Sequence, residues 1–203
     1  MLQGLTYKYY HKQGARTVYL VLHGGGPAGI ETPFIANIIE ALTHTDSSVF
    51  GFNFPYCERG EERSSGPELP EETAALHSAV QFLHNEGYEQ IVIVAKSLGG
   101  VTTSYWLAQH PDENVTVAIL GYVVGSVKTE QLRGKLRLVL QGEHDRFGNA
   151  SAVEAELAEH SVAAHVIEIP KADHSYRNEQ QEPAYQAQAI DLLVQNVRSV
   201  YPQ

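Results

Sequence analysis

Apolar runs rich in β-branched residues alternate along this chain with longer segments of helical period. Runs without polar alternation are typical of strands buried on both faces, and the segments between them then supply helices that cover a parallel sheet. The pattern predicts an α/β fold, a three-layer α/β/α sandwich around a mostly parallel sheet of about six or seven strands. The expected strands are Leu5–Tyr10, Thr17–Leu22, Ser48–Phe54, Gln90–Ala95, Val115–Gly121, Leu136–Gln141 and His165–Ile169, the first of them at an edge.

Helical periodicity and terminal signals place the helices between these strands. Thr32 followed by Pro33 is a favoured start, as N-cap and first helical residue. The expected helices are Pro33–Leu42, one that begins near Pro70, Leu98–His110, Asn149–Glu159 and about Pro183–Val200. No linker, repeat or low-complexity tract interrupts the 203 residues, so we expect a single α/β domain over residues 1–203.

Composition excludes several classes of function. The formal net charge of −10 argues against a basic surface for nucleic acid or anionic lipid. We find no apolar segment of membrane-spanning length and no secretory leader, and Cys57 is the single cysteine. The ten histidines lack the spacing of a helical metal site. We therefore expect a soluble, cytoplasmic protein, a monomer or a homodimer, with no membrane or nucleic-acid partner.

A serine stands at the end of an expected central strand, in the stretch AKSLGG at 95–100. Doubly wound sheets bind ligands beyond the carboxyl ends of their strands. A serine in a sharp strand-to-helix turn is exposed as a nucleophile when small residues flank it, here Ala95 and Gly99. The amide of Leu98 would lie at the helix start and face a developing oxyanion. The alternative is that Ser97 merely caps the helix.

The glycine run His23-Gly24-Gly25-Gly26 follows an adjacent expected strand. Such a loop brings backbone amides close to a ligand, and the Gly25 N–H is the expected second oxyanion donor. A phosphate-binding loop is the competing interpretation, but the run lacks both common phosphate-loop spacings. We expect His23 to orient the loop through hydrogen bonds rather than to act as a base.

A serine nucleophile needs a base and an acid that orients the base. Asp145 and His174 each follow a later strand, so the order is serine, acid, histidine, and all three lie at one edge of the expected sheet. Glu143 is an alternative acid with less reach, and Asp173 is expected to brace the loop of its neighbour. Read singly, Asp145 could be a turn residue and His174 an ordinary loop histidine.

Other polar residues near these motifs have two possible interpretations each. Lys96 either carries charge near the site or forms a surface ion pair. Cys57 is either a second nucleophile or, as we expect, a packed thiol. Arg59 and Arg63 either meet an anionic substrate or, as we expect, lie on a solvated loop. The segment Pro55–Leu69 leaves a strand end and is expected to border the pocket.

Taken together, these motifs resemble those of small serine hydrolases of the α/β-hydrolase superfamily. The chain is most similar to the short, lidless KANL/Tex-type branch, relatives of dienelactone-hydrolase-like proteins. That branch usually has GKSxGG at the nucleophile, so Ala95 is a departure from it. The stretches that carry the resemblance are HGGGPAGIETPF (23–34), GFNFPYCERGEER (51–63), AKSLGG (95–100), QGEHDRFG (141–148) and ADHS (172–175).

The resemblance implies an esterase-like serine hydrolase with no cap domain, no metal and no organic cofactor. We accordingly expect a small-molecule acyl substrate, an ester or a thioester. A catalytically silent module that binds a partner protein is the alternative from another class. The retention of serine, acid and histidine together favours the enzyme, because a scaffold has no need of them. A peptidase is less favoured, since no peptide-gating domain is evident.

Overall fold

The central feature of the computed structural model, which describes residues 4–199, is one seven-stranded sheet. The strands are β1 Tyr7–Tyr10, β2 Thr17–Leu22, β3 Ser48–Phe52, β4 Gln90–Lys96, β5 Val115–Leu120, β6 Leu136–Gly142 and β7 His165–Ile169. Their spatial order is β1-β3-β2-β4-β5-β6-β7. Only β1 runs antiparallel, against β3, and it lies at the edge. The predicted fold class is confirmed.

Helices cover both faces of the sheet. They are α1 Pro33–Thr43, α2 Pro55–Glu58, α3 Pro70–Asn85, α4 Leu98–Gln109, α5 Ala150–Glu159 and α6 Gln186–Ser199, with 3₁₀ turns at Gly29–Glu31 and Thr129–Leu132. Within the described residues no insertion forms a cap domain, since the longest connections, residues 59–69 and 170–185, contain no helix or strand.

Two hydrophobic cores result from the alternation of side chains along the buried strands. Leu20 of β2 packs toward α3, α4 and α5 in one core, where Trp106 is completely buried. The next residue, Val21, packs toward α1 and α6 in the other core, with Ile38 and Leu193. Because both faces are covered, the central strands have no polar face, and the continuous apolar runs of the sequence follow from this.

Register brings the carboxyl ends of the parallel strands to one edge. Leu22 of β2 pairs with Ala95 of β4, and Lys96 of β4 pairs with Leu120 of β5. Gly142 of β6 pairs with Ile169 of β7. The loops that follow these strands therefore start side by side. Gly25, Ser97, Asp145 and His174 lie in these connections, and Leu98 begins the helix after Ser97.

Three expected elements differ from the structure by two or more residues at one end, and the other predicted bounds differ by at most one residue. The third strand ends at Phe52 rather than Phe54. The first strand begins at Tyr7 rather than Leu5. The last helix begins at Gln186 rather than Pro183, because the amide of Tyr185 is bonded to the carbonyl of Tyr176 and holds this segment in a turn; its expected end, Val200, lies outside the described residues. Thr32 does precede α1, but its side chain makes no capping hydrogen bond.

Candidate active site

Ser97 occupies a strained turn between β4 and α4. Its backbone angles are φ 49° and ψ −109°, a region that residues other than glycine rarely adopt. The amide of Ser97 donates to the carbonyl of Leu120, and its own carbonyl accepts from Gly100 at 2.8 Å. The turn is thus bonded to the sheet on one side and to the helix on the other, and it lifts the hydroxyl above the sheet edge.

The small residues around Ser97 are required by close packing. A Cβ at Gly99 would lie 2.8 Å from Cβ of Leu22 and 3.0 Å from its carbonyl oxygen. Ala95 is completely buried inside β4 and still pairs with Leu22 and Ile119 in regular register. The alanine that departs from the family pattern is therefore accommodated two residues before the serine, whereas the glycine two residues after it has no room for a side chain.

We predict that Gly99→Ala lowers the free energy of unfolding by about 1–3 kcal/mol, because overpacking at a rigid backbone contact costs that much. Thermal unfolding should show a fall in Tm of several degrees, about 2–4 °C per kcal/mol for a chain of this size. Gly25→Ala is the matched control, since a Cβ there meets nothing within 4 Å. Equal Tm values for the two variants would contradict the packing argument.

His174 connects Ser97 to Asp145. Its Nε2 lies 2.8 Å from Oγ of Ser97, and its Nδ1 lies 2.7 Å from Oδ2 of Asp145. A carboxylate only accepts hydrogen bonds, so Nδ1 carries the proton and Nε2 offers its lone pair to the serine hydroxyl. The side chain of Asp145 is fully buried and that of His174 is 14% exposed. The structure thus brings together three residues from separate loops.

Gln141, which the sequence interpretation did not single out, holds Asp145 in place. This side chain is completely buried, and its Nε2 donates to Oδ2 of Asp145 at 2.9 Å. The amide of Phe147 donates to Oδ1 at 2.8 Å. Oε1 of Gln141 in turn accepts from the amide of Tyr122 on the neighbouring loop. The sequence did offer one signal for this role, because Gln141 is a polar residue at the end of the apolar run LRLVLQ.

The alternative acids lie elsewhere. Glu143 is exposed and accepts the amide of Lys171 at 2.7 Å, so its carboxylate is occupied away from the imidazole. Asp173 accepts the amides of Ser175 and Arg177 at 2.8 and 2.9 Å. It therefore braces the loop that carries His174, as predicted.

His23 orients the glycine loop. It is 1% exposed; its Nε2 accepts the amide of Phe54 at 3.0 Å, and its Nδ1 donates to the carbonyl of Gly24. Burial lowers its pKa from 6.5 to about 4, so it stays neutral at physiological pH. Both ring nitrogens are engaged by backbone, which confirms the expected orienting role and leaves no nitrogen for a base.

We predict that His23 makes stability fall on acidification. Its pKa is about 4 in the folded protein against an ordinary value of 6.5. Between pH 4 and pH 6.5, His23 therefore binds a proton in the unfolded chain but not in the folded chain. The stabilisation is complete above pH 6.5 and decreases by about 3 kcal/mol on descent to pH 4. Denaturant titrations should show a flatter pH dependence for His23→Gln than for wild type or for His165→Gln, which replaces an exposed histidine. Parallel curves would contradict this assignment.

Tyr56 and Cys57 pack beneath the same loop. The hydroxyl of Tyr56 donates to the carbonyl of Gly24 at 3.1 Å and lies 3.4 Å from that of Gly26, one on each side of Gly25. Cys57 is buried, and burial raises the pKa of its thiol. Cys57 is therefore a packed thiol, as expected, and not an activated nucleophile.

Lys96 lies inside the site. It is 7% exposed, and its Nζ lies 3.2 Å from Nε2 of His174. The interpretation as a surface ion pair is therefore wrong. Burial lowers the pKa of Lys96 to about 7, against the opposing effect of Asp145 and Asp173. The pKa of His174 is lowered too, first by burial; the hydrogen bond to Asp145 opposes this, and the charge of Lys96 adds to it.

A cleft of about 150 Å³ opens beside Ser97. Its lining comes from the glycine loop, the serine turn, the loop that carries His174, α1 with the residue before it, and the start of α6. The lining residues are Gly24, Gly25, Thr32, Phe34, Ile35, Lys96, Ser97, His174, Ser175 and Gln186. Gly25 lines this cleft, and Leu98 is the first residue of α4, where its N–H has no acceptor within the helix. Their role as oxyanion donors stays a prediction.

The segment Pro55–Leu69 does not line this cleft, contrary to expectation. It begins with α2, which turns the chain toward α3. There Arg59 binds the carboxylates of Glu61 and Glu71 at the surface. The ion pairs confirm that Arg59 belongs to a solvated part of the molecule.

Comparison with known proteins agrees with this geometry. A family model described as an alpha/beta hydrolase domain matches residues 15–201. The chain belongs to the α/β-hydrolase family. A search of curated proteins finds no match. Membership supports hydrolase activity in general, and the resemblance seen in the motifs is confirmed at this level.

Solved structures share the fold at low identity. An α/β serine hydrolase without lid, XC6422 from Xanthomonas campestris, superimposes with a TM-score of 0.74 at 14% identity, over 98% of this chain and 90% of that one. Est1E from Butyrivibrio proteoclasticus, solved with ferulic acid, gives 0.68 at 11% identity, with 95% of each chain covered. A cold-adapted esterase from an Arctic intertidal metagenomic library gives 0.65 at 16%, with 94% and 88% covered.

Among residues 4–199, none of the helices combines the length and the apolar character that crossing a bilayer would require.

Proposed function

We propose that this α/β hydrolase cleaves small carboxylic esters or thioesters through an acyl-enzyme formed on Ser97. One observation carries the proposal. Oγ of Ser97, the imidazole of His174 and the carboxylate of Asp145 form a continuous hydrogen-bonded chain, with 2.8 Å and 2.7 Å separations, and Ser97 and His174 line a cleft. Such a hydrogen-bonded chain is what a serine nucleophile with a base and an orienting acid requires, and it supports the proposal.

Attack begins when Oγ of Ser97 approaches the carbonyl carbon of the substrate. The hydroxyl proton moves to Nε2 of His174 as the Oγ–C bond forms, and the carbonyl π electrons move to oxygen. The amides of Gly25 and Leu98 are the donors proposed for that oxyanion. Asp145, held by Gln141, keeps the imidazole in the required tautomer and stabilises the imidazolium.

The tetrahedral intermediate then collapses to the acyl-enzyme. His174 returns the proton to the leaving alcohol or thiol as the bond to it breaks. Water next attacks the acyl carbon and gives its proton to Nε2, and the second collapse restores the hydroxyl of Ser97 and releases a carboxylic acid. The imidazole thus acts alternately as base and acid, and no further group has to donate a proton.

The shape of the cleft supports a small acyl substrate. Phe34 and Ile35 supply an apolar wall beside Ser97, while Thr32 and Gln186 supply polar edges. A volume of about 150 Å³ favours a short acyl group. Among the related folds, one is an esterase and another binds ferulic acid, which is in keeping with the ester class.

We predict that a fluorophosphonate probe labels the wild-type protein and that labelling is lost in Ser97→Ala and His174→Ala. The probe forms a covalent bond only with an activated serine, so mass spectrometry should place the adduct on Ser97. Asp145→Asn should retain the fold and react roughly 10⁴-fold more slowly, since the amide favours the wrong imidazole tautomer.

Circular dichroism of every variant provides the control for folding. Labelling at equal rates in wild type and His174→Ala would show that the imidazole is not the base. A folded wild-type protein that the probe never labels would favour the silent, partner-binding module and would refute the proposed activity.

We also predict that Tyr56→Phe lowers kcat/KM by roughly tenfold, a fraction of the effect of removing an oxyanion donor. The hydroxyl of Tyr56 donates to the carbonyl of Gly24, and the next residue, Gly25, lines the cleft and carries the proposed oxyanion donor. Tyr105→Phe is the matched control, because Tyr105 lies on α4 and its ring contacts the ammonium group of Lys128. Ester hydrolysis kinetics on both variants check the prediction, and an unchanged kcat/KM in Tyr56→Phe would contradict it.

A further inference from the structure

Two hydrogen-bond donors converge on a single nitrogen of the candidate active site. Oγ of Ser97 lies 2.8 Å from Nε2 of His174, and Nζ of Lys96 lies 3.2 Å from the same atom. Because Nδ1 carries its proton toward Asp145, Nε2 has one lone pair to offer. An ammonium group can only donate, so a charged Lys96 and the hydroxyl of Ser97 compete for that lone pair.

The surroundings of Lys96 keep its nitrogen in this position. Lys96 is the last residue of β4, and its Nζ lies close to Gly121, where a Cβ would be 2.7 Å from Nζ and 2.9 Å from Cε1 of His174. Within residues 4–199 no carboxylate lies within ion-pair distance of Nζ. The titratable and charged groups that face it come from the loops after β6 and β7, and they are Asp145, Asp173, His174, Tyr176 and Arg177.

These neighbours do not fix a positive charge on Lys96. The carboxylate of Asp173 is paired with Arg177 at 3.0 Å, and that of Asp145 is bonded to His174. The ring centroid of Tyr176 lies 5.8 Å from Nζ, and its hydroxyl donates to the carbonyl of Leu140. Lys96 is thus a buried amine whose nearest hydrogen-bonding atom is the nitrogen that has to receive the serine proton.

We propose that Lys96 is a positioning residue that must lose its proton before His174 can activate Ser97. In its ammonium form it donates to Nε2 and displaces the serine hydroxyl. After one proton leaves Nζ for solvent, the amine no longer has to donate, and the hydroxyl of Ser97 takes the lone pair. This inference rests on the proposed function and adds a second proton equilibrium to the same site.

The transition state favours the same charge state. When Oγ attacks the carbonyl carbon, its proton moves to Nε2 and His174 becomes an imidazolium. A neighbouring ammonium 3.2 Å away would repel this positive charge in a desolvated site, whereas a neutral amine would not. Both the ground state and the transition state therefore disfavour a protonated Lys96.

Burial supports this equilibrium near neutrality, since it lowers the pKa of Lys96 to about 7 and also lowers that of His174. The two groups interact directly, so they titrate as a coupled pair. On the acidic side of its pH dependence, activity should then require the loss of two protons, one from Lys96 and one from His174. A site with only serine, histidine and aspartate requires the loss of one.

The test is the pH dependence of the fluorophosphonate labelling rate in wild type, Lys96→Met and Lys128→Met. In wild type and in Lys128→Met, a logarithmic plot of the rate should fall toward a slope of two between pH 7 and pH 5. Lys96→Met should show a slope of one with a midpoint at lower pH. For each protein, the labelling rate at pH 5.5 is divided by the rate of the same protein at alkaline pH. This ratio should be roughly tenfold higher for Lys96→Met than for wild type.

The outcomes separate this inference from the proposed function. If wild type is labelled at pH 9 and its rate falls with a slope of only one on the acidic side, the role of Lys96 is overturned and the proposed function is not. The same holds if Lys96→Met lowers the labelling rate equally at every pH and leaves its pH dependence unchanged. No labelling of folded wild type at any pH would overturn the proposed function and this role with it.

A second measurement decides the matter if Lys96→Met does not fold. The ¹³Cε resonance of Lys96 in the wild-type protein, labelled at its lysines and assigned by difference from Lys96→Arg, should titrate near pH 7. His174→Gln should shift that titration, because it removes the coupled partner. A midpoint above about 9, close to the ordinary lysine value, would overturn the proposal.

Discussion

The strained turn at Ser97 is the constraint on which the rest of the site depends. A non-glycine residue at φ 49° and ψ −109° costs on the order of 1–3 kcal/mol and persists only where its surroundings leave no alternative. Here β4 lies in the middle of the sheet, paired with β2 and β5 over its length. The close contact of Gly99 with Leu22 then sets where α4 begins. The serine is held above the sheet edge because the positions of both β4 and α4, which flank it, are fixed.

Around that turn, the parallel sheet gathers residues that are far apart in the chain. Ser97 and His174 are separated by 77 positions and Asp145 and His174 by 29, yet they share one hydrogen-bonded chain. The network continues through Gln141 to the backbone at Tyr122. Buried polar groups of this kind are stable only when each finds a partner, so the loops after β5, β6 and β7 restrain one another.

Much of this site follows from strand ends that can be recognised in the sequence. Ser97, Asp145 and His174 were located because each follows an apolar run, and the expectation that His23 orients its loop was correct for the same reason. The burial of Lys96 and the support from Gln141 were not foreseen. A polar residue at the end of a strand has the same sequence signature whether it faces solvent or turns into the site.

The amino-acid sequence by itself determines how apolar residues recur along this chain. Apolar runs that alternate with helical segments require a covered parallel sheet, and the parallel sheet requires that the loops after its strands meet at one edge. Which side chains in those loops touch is settled only in the folded molecule: Asp145 rather than Glu143 at the imidazole, Lys96 beside His174, and α1 with α6 in the lining of the cleft. Periodicity is a local property of the chain, whereas such contacts depend on the conformations of several loops at once.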